Sequence, residues 1–477
     1  MACRWRFGPH TLRLHRFIRR KVIRSCCTDN SKTPEETEVA NRAANSSEKK
    51  NSGLNRILQR RIKNELSYAL PTVPLPPKLT EAVNEVLKYH PKKEVITAGN
   101  SLIDHLSARK KMTTITEWSK SLLKYNQREA LATMVSRLNG TYSTTLRVLN
   151  ETATRIPARN CPRFWLRARN CCVVIKSSLA ISYNSNYRAT NEIWNKSVYE
   201  YLCVDTSEEM ENLAKILRKG GTKSGKDLIE NVYHKQYLPV SGKQQYDLVI
   251  AAYSLGEMSP KLLRTTLETL WRNTLKYLVL IEMGDKVGFH CISEARTHLI
   301  KIMREQVENE GVKTDGDDEP QSSGYIFAPC THELTCPYVR KGKSYCRFGQ
   351  RSHLSICQER DPWLKRAGFV TENYSYLVLS RGNRPADDNG YARLLKERKQ
   401  ARRMVICNIC PPNGYSEQRI YTKIRSGKEV YRMVRHHTQW GDLVPLVEKP
   451  AEKTEPTTDD KDELNNVDKL SEDDTMK

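Results

Sequence analysis

Residues 246–258 read YDLVIAAYSLGEM, and they decide the fold of this 477-residue chain. Tyr246–Ala252 is an almost continuous apolar run of strand length, which is typical of a strand buried on both faces of a parallel sheet. A second run, Tyr277–Ile281, ends in Glu282, and residues 259–273 between the two runs have a helical pattern. Two strands joined by a helix predict a parallel α/β sheet.

The same alternation extends upstream, where Val198–Val204 reads as a strand and Ser207–Lys219 as the helix that follows it. Asp205 lies between them. Ligands of α/β proteins bind at the carboxyl ends of strands, where an acidic side chain can accept hydrogen bonds from ribose hydroxyls. Asp205 is therefore a candidate residue for binding the ribose of a nucleotide. An aspartate at this position also suits the start of a helix, and the sequence leaves both interpretations open.

A nucleotide site of this kind also needs a glycine-rich turn after its first strand, because only glycine lets the backbone approach the ligand closely. Residues 141–219 contain no glycine. The segment where the turn should lie, 161–186, reads CPRFWLRARNCCVVIKSSLAISYNSN and offers arginines and bulky groups instead. This predicts that the cofactor site is lost or that the deduced sequence is wrong over 161–190.

The section before the sheet, residues 57–155, has helical patterns without evident chemistry, and we predict a helical packing domain there. Further helices are predicted at 98–124 and 127–151. The first helix follows the proline-rich segment PTVPLPP and has one apolar stripe, formed by Ala82, Val83, Val86 and Leu87.

The formal net charge of +24 is unevenly distributed along the chain. Residues 1–28 carry eight Arg or Lys and no acid, whereas residues 448–477 carry eleven acids and five lysines. The stretch between these ends, 29–447, therefore keeps a net charge of +22. Such a surplus attracts phosphates, so nucleic acid is the leading partner, and a merely solvated basic surface is the alternative.

The two ends of the chain differ in composition from the rest, because the first is rich in arginine and the last is acidic. Within residues 1–28, Phe7, Thr11, Leu14 and Ile18 share one helical face among arginines, which is typical of a mitochondrial presequence; a basic RNA-binding arm is the alternative. We therefore expect residues 1–50 to be a presequence and disordered spacer, and the protein to reach the mitochondrial matrix. Residues 446–477 are predicted to be a disordered acidic tail, and 305–325 an acidic loop.

No apolar stretch is long enough for a membrane-spanning helix, and the longest, around Leu278–Ile281, is far shorter than the roughly 18 residues required. We therefore expect a soluble protein without membrane insertion.

Three cysteines fall close together, since Cys330, Cys336 and Cys346 have five and then nine residues between them, and CNICPPNG at 407–414 offers Cys407 or Cys410 as a fourth. Thiolates are soft ligands that select iron–sulfur clusters or zinc. The Cys-Pro pairs in this set are typical of iron–sulfur sites and favour a cluster. Zinc, with His332 or His353 joining, is the runner-up, and free structural thiols are the third interpretation.

The segment 391–437 is strongly basic, with twelve Arg or Lys against three acids, and has interleaved aromatic residues. Guanidinium groups and rings together suit phosphate contacts and stacking on unpaired bases, which is the mode that RNA favours. The candidate RNA-binding residues are Arg402, Arg403, Lys423, Arg425, Arg432 and Arg435.

Several blocks together resemble the mitochondrial methyltransferase-like protein 17 family, which is related to yeast and bacterial small-subunit ribosome proteins. They cover most of 75–445, and the cysteine blocks are the most specific. The blocks are SRLNGTYSTTLRVLNE (136–151), EYLCVDTSEEM (200–210), YDLVIAAYSLGEM (246–258), LVLIEMGDKVGFHCISEAR (278–296), APCTHELTCP (328–337), CRFGQR (346–351), CNICPPNG (407–414) and WGDLVP (440–445).

The resemblance implies an α/β fold with a seven-stranded, Rossmann-like S-adenosylmethionine methyltransferase domain at 156–304 and a cysteine and iron–sulfur module with a basic RNA-facing segment at 326–445. It also implies a 4Fe-4S cluster. Cys410 is preferred to Cys407 because the family's last cysteine lies four residues before a glycine, here Gly414. The implied ligands are Cys330, Cys336, Cys346 and Cys410.

The implied role is assembly of the mitochondrial small ribosomal subunit, with its ribosomal RNA and ribosomal proteins as partners. The family's LD-x-G-x-G-x-G loop for S-adenosylmethionine is absent from this sequence, which makes binding of that cofactor doubtful. A factor without catalysis is therefore favoured, and an active S-adenosylmethionine-dependent rRNA methyltransferase is the alternative.

Overall fold

The apolar runs form the centre of an eight-stranded sheet in the computed structural model. Five parallel strands come first: β1 Val173–Ile175, β2 Tyr201–Val204, β3 Val232–Lys235, β4 Tyr246–Ala252 and β5 Thr274–Met283. Three more follow: β6 Tyr325–Ala328, β7 Phe348–Ser352 and β8 Val370–Ser380. The structure describes residues 66–109, 126–155, 173–175, 182–194, 197–239, 244–309, 324–342, 344–385 and 390–446.

The strand order is β3-β2-β1-β4-β5-β8-β6, and β7 pairs with β8. β8 runs antiparallel to β5, β6 and β7. The prediction of seven strands differs from the eight described, because β8 is eleven residues long and one of its edges holds two short strands. β6 pairs with β8 near Ser380, and β7 pairs with it from Val370 to Tyr374. The main sheet thus continues well past residue 304, the predicted end of the α/β domain.

Among the described residues, seven long helices pack around this sheet, and the start of α5 shows ordinary capping chemistry. Ser207 caps α5 by accepting a hydrogen bond from Met210 N, and acidic residues occupy the first turn of that helix. The helices are α1 Pro77–Lys88, α2 Lys92–Arg109, α3 Gln127–Arg155, α4 Ser182–Ile193, α5 Glu208–Arg218, α6 Pro260–Arg272 and α7 Lys286–Asn309.

The described part of the predicted helical domain packs onto the α/β layers and shares its apolar clusters with them. Tyr142 and Val148 of α3 belong to the same apolar cluster as Ile250 and Val279 of the sheet. α1 and α2 share another cluster with α3 and with Leu213 of α5. Helices occur at 77–88 and 127–155 as predicted, and the apolar stripe of α1 is buried against α3 and α5. Of the helix predicted at 98–124, residues 98–109 lie in α2 and residues 110–124 fall outside the described residues. No helix of the described ranges has the length and hydropathy that crossing a bilayer requires.

A second sheet of five short strands follows the first. Its strands are β9 Tyr391–Leu394, β10 Lys399–Gln400, β11 Met404–Cys410, β12 Glu417–Thr422 and β13 Leu443–Pro445, in the order β10-β11-β9-β13, with β12 paired to β11. Helix α10, Lys428–His436, buries Tyr431 and Val434 in the core of this sheet. Two one-turn to two-turn helices, α8 Pro337–Lys341 and α9 Pro362–Ala367, lie in the connections of the main sheet.

A buried ionic network joins α3 to the second sheet. Glu151 Oε1 lies 2.6 Å from Arg393 Nη2, and Glu151 Oε2 lies 3.3 Å from Arg147 Nη1. Arg147 also reaches Asp442 at 3.6 Å, and Asp442 accepts a 2.8 Å hydrogen bond from Tyr68 N. Burial alone would raise the pKa of Glu151, but the surrounding guanidinium groups outweigh it and hold the value at about 2. The network fixes the position of β9 beside the main sheet.

Predictions for residues 1–50, for 447–477 and for most of the loop 305–325 fall outside the described residues and stay predictions.

Candidate functional site

Four cysteines meet in one pocket between the two sheets. Cys330 and Cys336 lie in the connection after β6, Cys346 lies just before β7, and Cys410 ends β11. The pocket holds a cavity of about 40 Å³, and its other walls include Phe289, Phe348, Tyr376, Arg296 and Arg393. The four thiols are free and, except for that of Cys410, belong to half-buried residues. The structure therefore brings together the four cysteines that the family resemblance implies as ligands.

Local chemistry positions the pocket's thiols. Cys336 occupies the residue before α8, where Pro337 starts the helix without needing a hydrogen-bonded N–H. Cys410 pairs across the second sheet with Arg393. The turn after Cys410 depends on Gly414, whose φ of +74° favours glycine; a Cβ there would lie 3.1 Å from Leu334 of the facing loop. The turn and the 330–336 loop therefore pack closely.

The thiols influence each other's ionisation. Burial raises the pKa of Cys346, and the neighbouring Cys336, Cys330 and Cys410 raise it further. Burial also raises the pKa of Cys410 and of Cys336, again with Cys330 as a contributing neighbour. Ionising all four thiols together is therefore costly unless positive charge is supplied among them.

Two buried guanidinium groups already line this pocket. Arg296 donates hydrogen bonds to the backbone oxygens of His332 (2.9 Å) and Leu334 (2.6 Å), and Arg393 donates through Nε to Pro329 O at 2.8 Å. Arg296 Nε has no hydrogen-bond partner among the described residues. The sequence singled out neither arginine as part of the cysteine site, because each reaches it through a contact with a distant segment.

The two histidines considered as zinc ligands lie in different places. His332 is buried, and its Nε2 is 3.3 Å from Cys410 Sγ, although His332 is not among the residues that line the pocket. Burial and the nearby Arg296 lower the pKa of His332 to about 4. His353 is exposed and lies beside a different cavity, with Lys92 and Arg360. In the described residues, no three His, Cys, Asp or Glu side chains are arranged around one metal ion.

The spare cysteines lie elsewhere. Cys407 is buried in the apolar core of the second sheet, and Cys357 packs among helices α1, α2 and α3. Cys410, which the resemblance preferred to Cys407, is the one whose sulfur reaches the pocket.

Asp205 is at the carboxyl end of β2, as predicted, and is 1% exposed. Its Oδ1 accepts a 2.9 Å hydrogen bond from Ser207 N at the start of α5. This contact fits the helix-start interpretation. The turn after β1, at 176–181, lies outside the described residues, so the structure does not bear on the missing glycines.

The strand end after β4 is filled by protein side chains. Tyr253, with φ of +57°, is buried, and its hydroxyl lies 2.6 Å from Thr144 Oγ1 of α3. Glu282, at the end of β5, accepts hydrogen bonds from Leu255 N (2.6 Å) and Gly256 N (3.3 Å). Burial raises the pKa of Glu282 to about 8 despite these bonds. The carboxyl is therefore largely protonated at neutral pH.

The predicted RNA-binding residues gather at one end of the second sheet. Met404 pairs with Thr422, so Arg402 and Arg403 lie beside the turn that carries Lys423 and Arg425. These four side chains and Arg432 are exposed. Arg435 differs, because it donates hydrogen bonds to Ala401 O (2.9 Å) and Tyr431 Oη (2.7 Å) and so holds α10 on the sheet. Cys410 lies at the far end of the seven-residue strand β11, roughly 20 Å from this basic end.

The strand order and the parallel core define a methyltransferase-like α/β protein, here extended by a second sheet that completes a cysteine pocket. The family model of the mitochondrial small ribosomal subunit protein Rsm22 matches residues 127–445, and the chain belongs to this family. The resemblance to the methyltransferase-like protein 17 family is thereby confirmed, since a relative with that name is also found.

This relative is the human "Ribosome assembly protein METTL17, mitochondrial", 33% identical over 330 residues, which are 69% of this chain and 65% of the human protein. The fission yeast "Rsm22-cox11 tandem protein 2, mitochondrial" is 30% identical over 252 residues, 46% of this chain and 32% of that protein. The chain thus aligns with less than two thirds of the length of these relatives.

Solved methyltransferase structures also align with the chain. A magnesium protoporphyrin IX methyltransferase from Synechocystis with bound S-adenosylmethionine has 9% identity and a TM-score of 0.26, covering 55% of this chain and 86% of that one. A SAM-dependent methyltransferase from Aquifex aeolicus has 15% identity and a TM-score of 0.23, covering 34% and 74%.

Proposed function

We propose that this protein is an assembly factor of the mitochondrial small ribosomal subunit, that it acts in the matrix, and that a 4Fe-4S cluster held by Cys330, Cys336, Cys346 and Cys410 joins its two sheets. The pocket lined by these four thiols carries the proposal. Membership of the Rsm22 family and the names of the mitochondrial relatives support the ribosomal role.

The donor set favours a cluster over a single zinc ion. A zinc ion with Zn–S distances of about 2.3 Å would need its sulfurs packed tightly around one point. The four thiols line a common pocket, yet no three ligands in the described residues surround a single ion position. A cluster binds each thiolate through a different iron and so accepts a wider spacing. The guanidinium groups of Arg296 and Arg393 would balance the negative charge of such a group.

RNA binding is the second part of the proposal. The exposed Arg402, Arg403, Lys423 and Arg425 form a basic end on the second sheet that suits phosphate contacts. A cluster would hold the opposite end of β11 against the main sheet, so it would orient this basic end relative to the rest of the protein. The expected RNA is the ribosomal RNA of the small subunit.

The alternative, an active S-adenosylmethionine-dependent rRNA methyltransferase, has one observation in its favour: Asp205 lies at the strand end where such enzymes bind ribose. Against it, Asp205 accepts a hydrogen bond from Ser207 N at the start of a helix, and residues 141–219 lack glycine. We therefore propose a role without catalysis. Micromolar binding of S-adenosylmethionine in calorimetry would favour the alternative.

The test compares Cys336→Ser with Cys407→Ser in full-length protein purified without oxygen. We expect wild type and Cys407→Ser to hold iron and acid-labile sulfide in equal amounts and to absorb broadly near 400 nm. Cys336→Ser should hold less iron and melt at a lower temperature, because the energy of metal binding is part of the folding energy.

Cys407 is a matched control since it lies on the same strand as Cys410 but points into an apolar core. A colourless wild-type protein that contains zinc, or equal iron in both variants, contradicts the cluster.

A further inference from the structure

Two of the cysteine loops meet on the outer surface of the pocket through an arginine and a tyrosine. Arg340 lies on α8, which begins after Cys336, and Tyr415 lies in the turn after Cys410. The Arg340 Cζ atom lies over the Tyr415 ring, 4.6 Å from its centroid, so the guanidinium group contacts one face of the ring. Neither residue belongs to the basic end of the second sheet.

Further contacts hold these two loops together. Arg340 Nη2 donates to Thr335 O at 3.3 Å and to Gly414 O at 3.5 Å. Lys341 Nζ donates to Ser416 Oγ at 2.9 Å. The arginine is thus oriented by its own loop and by the facing one, while its charge remains at the surface.

The ring is open to solvent. Tyr415 is 62% exposed although Arg340 covers part of it, so a large part of its surface is available for contact. A tyrosine on a tight turn loses little conformational entropy on binding, and an exposed ring backed by a guanidinium group is a stacking platform for a planar partner.

The charges around the ring favour an anionic partner. Within residues 330–342 and 410–419 the acids are Glu333 and Glu417. Glu333 pairs with Arg384 at 2.6 Å, and Glu417 pairs with Arg419 at 2.7 Å. Arg340 and Lys341 therefore leave the patch with a positive surplus. A planar group attached to a phosphate chain, which is an unpaired RNA nucleotide, matches the ring and the charge together.

We infer that Arg340 and Tyr415 form a binding site for one unpaired RNA base, with Lys341 beside it for the adjoining phosphate. This inference rests on the proposed RNA-binding function and names a contact outside the basic end of the second sheet. The two halves of the site belong to the loops of Cys336 and Cys410, so the site is complete only when these loops are held together.

The test uses the full-length protein and a single-stranded RNA of about 12 nucleotides with 2-aminopurine at its centre. Stacking quenches the fluorescence of this base. We expect Tyr415→Leu to weaken binding about tenfold and to abolish the quenching, because stacking on an aromatic ring contributes that much per base. Tyr415→Phe keeps the ring and should bind within about twofold of wild type.

Tyr89→Leu is the matched control, since Tyr89 is 72% exposed just after helix α1, outside both cysteine loops, and its replacement should leave RNA affinity unchanged. Iron content and melting temperature should be equal in all the variants. If Tyr415→Leu binds and quenches as wild type does, the inference is overturned.

A protein contact would also overturn it, and would show as weaker binding of Tyr415→Leu to isolated small subunits with unchanged affinity for the RNA. If the wild-type protein does not bind RNA at all, the result contradicts the proposed RNA-binding function, and the inference about Tyr415 falls with it.

Discussion

Two buried glutamates of this protein have pKa values shifted in opposite directions. Glu282 is buried at a strand end and has no ion-pair partner among the described residues; burial raises its pKa to about 8, with Glu257 and Asp285 adding to the effect. Glu151 is as deeply buried, yet three arginines hold its pKa at about 2. The contributions of the two carboxyls to the stability of the fold therefore depend on pH in opposite directions.

The raised pKa of Glu282 predicts a pH-dependent stability. The folded protein holds this proton up to about pH 8, whereas the unfolded chain releases it near pH 4.5, so stability falls as the pH rises between these values. Glu282→Gln removes this pH dependence and should gain stability relative to wild type as the pH rises from about 5 to 8. Urea midpoints of both proteins at several pH values measure it.

The exposed Glu81 provides the control, since Glu81→Gln should shift all midpoints equally or not at all. A constant difference between Glu282→Gln and wild type across this pH range would show that Glu282 ionises normally.

The sequence predicts individual site residues where a motif marks them. It does not predict residues that reach the site only because the fold brings distant segments together. Cys410 was distinguished from Cys407 by its distance to Gly414 in the family pattern, and the structure places Cys410 at the pocket. Arg393 meets Glu151 across 242 residues, and no local pattern indicates such a pair. Arg435 was predicted to face RNA by composition, although its guanidinium holds α10 in place.

Among elements, the buried strands were the most predictable. β4 matches its predicted limits, and β2 and β5 differ by a few residues at their ends, because continuous apolar runs mark strands buried on both faces. β8 was missed because its first half, VTENYS, is polar and falls in a segment that the cysteines dominate. Among the strands of the second sheet, β12 was missed because its sequence, EQRIYT, is mostly polar. β11, MVICNIC, has an apolar pattern but lies in the segment that was interpreted through its cysteines.

The ionic network between α3 and the second sheet predicts a large effect of one substitution. Glu151→Gln leaves Arg393, Arg147 and Arg155 buried around a neutral group, and should cost about 3–5 kcal/mol of unfolding free energy. In wild type, the contribution of Glu151 is present above the unfolded pKa of 4.5 and is lost as the pH falls toward 2. Denaturant unfolding of variant and wild type at neutral and acidic pH measures both effects.

Glu294→Gln is the matched control, because it breaks a more exposed pair with Arg264 and should cost less than about 1 kcal/mol. Equal destabilisation of the two variants would mean that the buried network contributes no more than a surface pair.

For the whole molecule, the basic end of the second sheet predicts how RNA affinity depends on salt. Replacing Arg402, Arg403, Lys423 and Arg425 by glutamine should weaken RNA binding at low salt. The slope of log affinity against log salt should fall by about 0.7 for each phosphate of a single strand that the variant no longer neutralises. Fluorescence anisotropy over a range of salt concentrations provides the slope.

The same number of charges can be removed elsewhere as a control, at the exposed Lys92, Lys93, Lys261 and Lys286. If this second variant changes the slope as much as the first, RNA binds through net charge alone, and the basic end has no special role.

Asp442 joins the first described residues of the chain to the last ones. Its carboxylate accepts hydrogen bonds from Tyr68 N and Ser67 Oγ, and Leu66 and Tyr68 pack against Leu443. The polypeptide therefore enters and leaves the described fold at neighbouring points. A circular permutant that links these points through a short peptide and opens the chain at a surface loop should keep the fold. A pair of fluorophores, one attached near residue 66 and one near residue 446, would measure directly whether the contact between the two ends of the described fold opens.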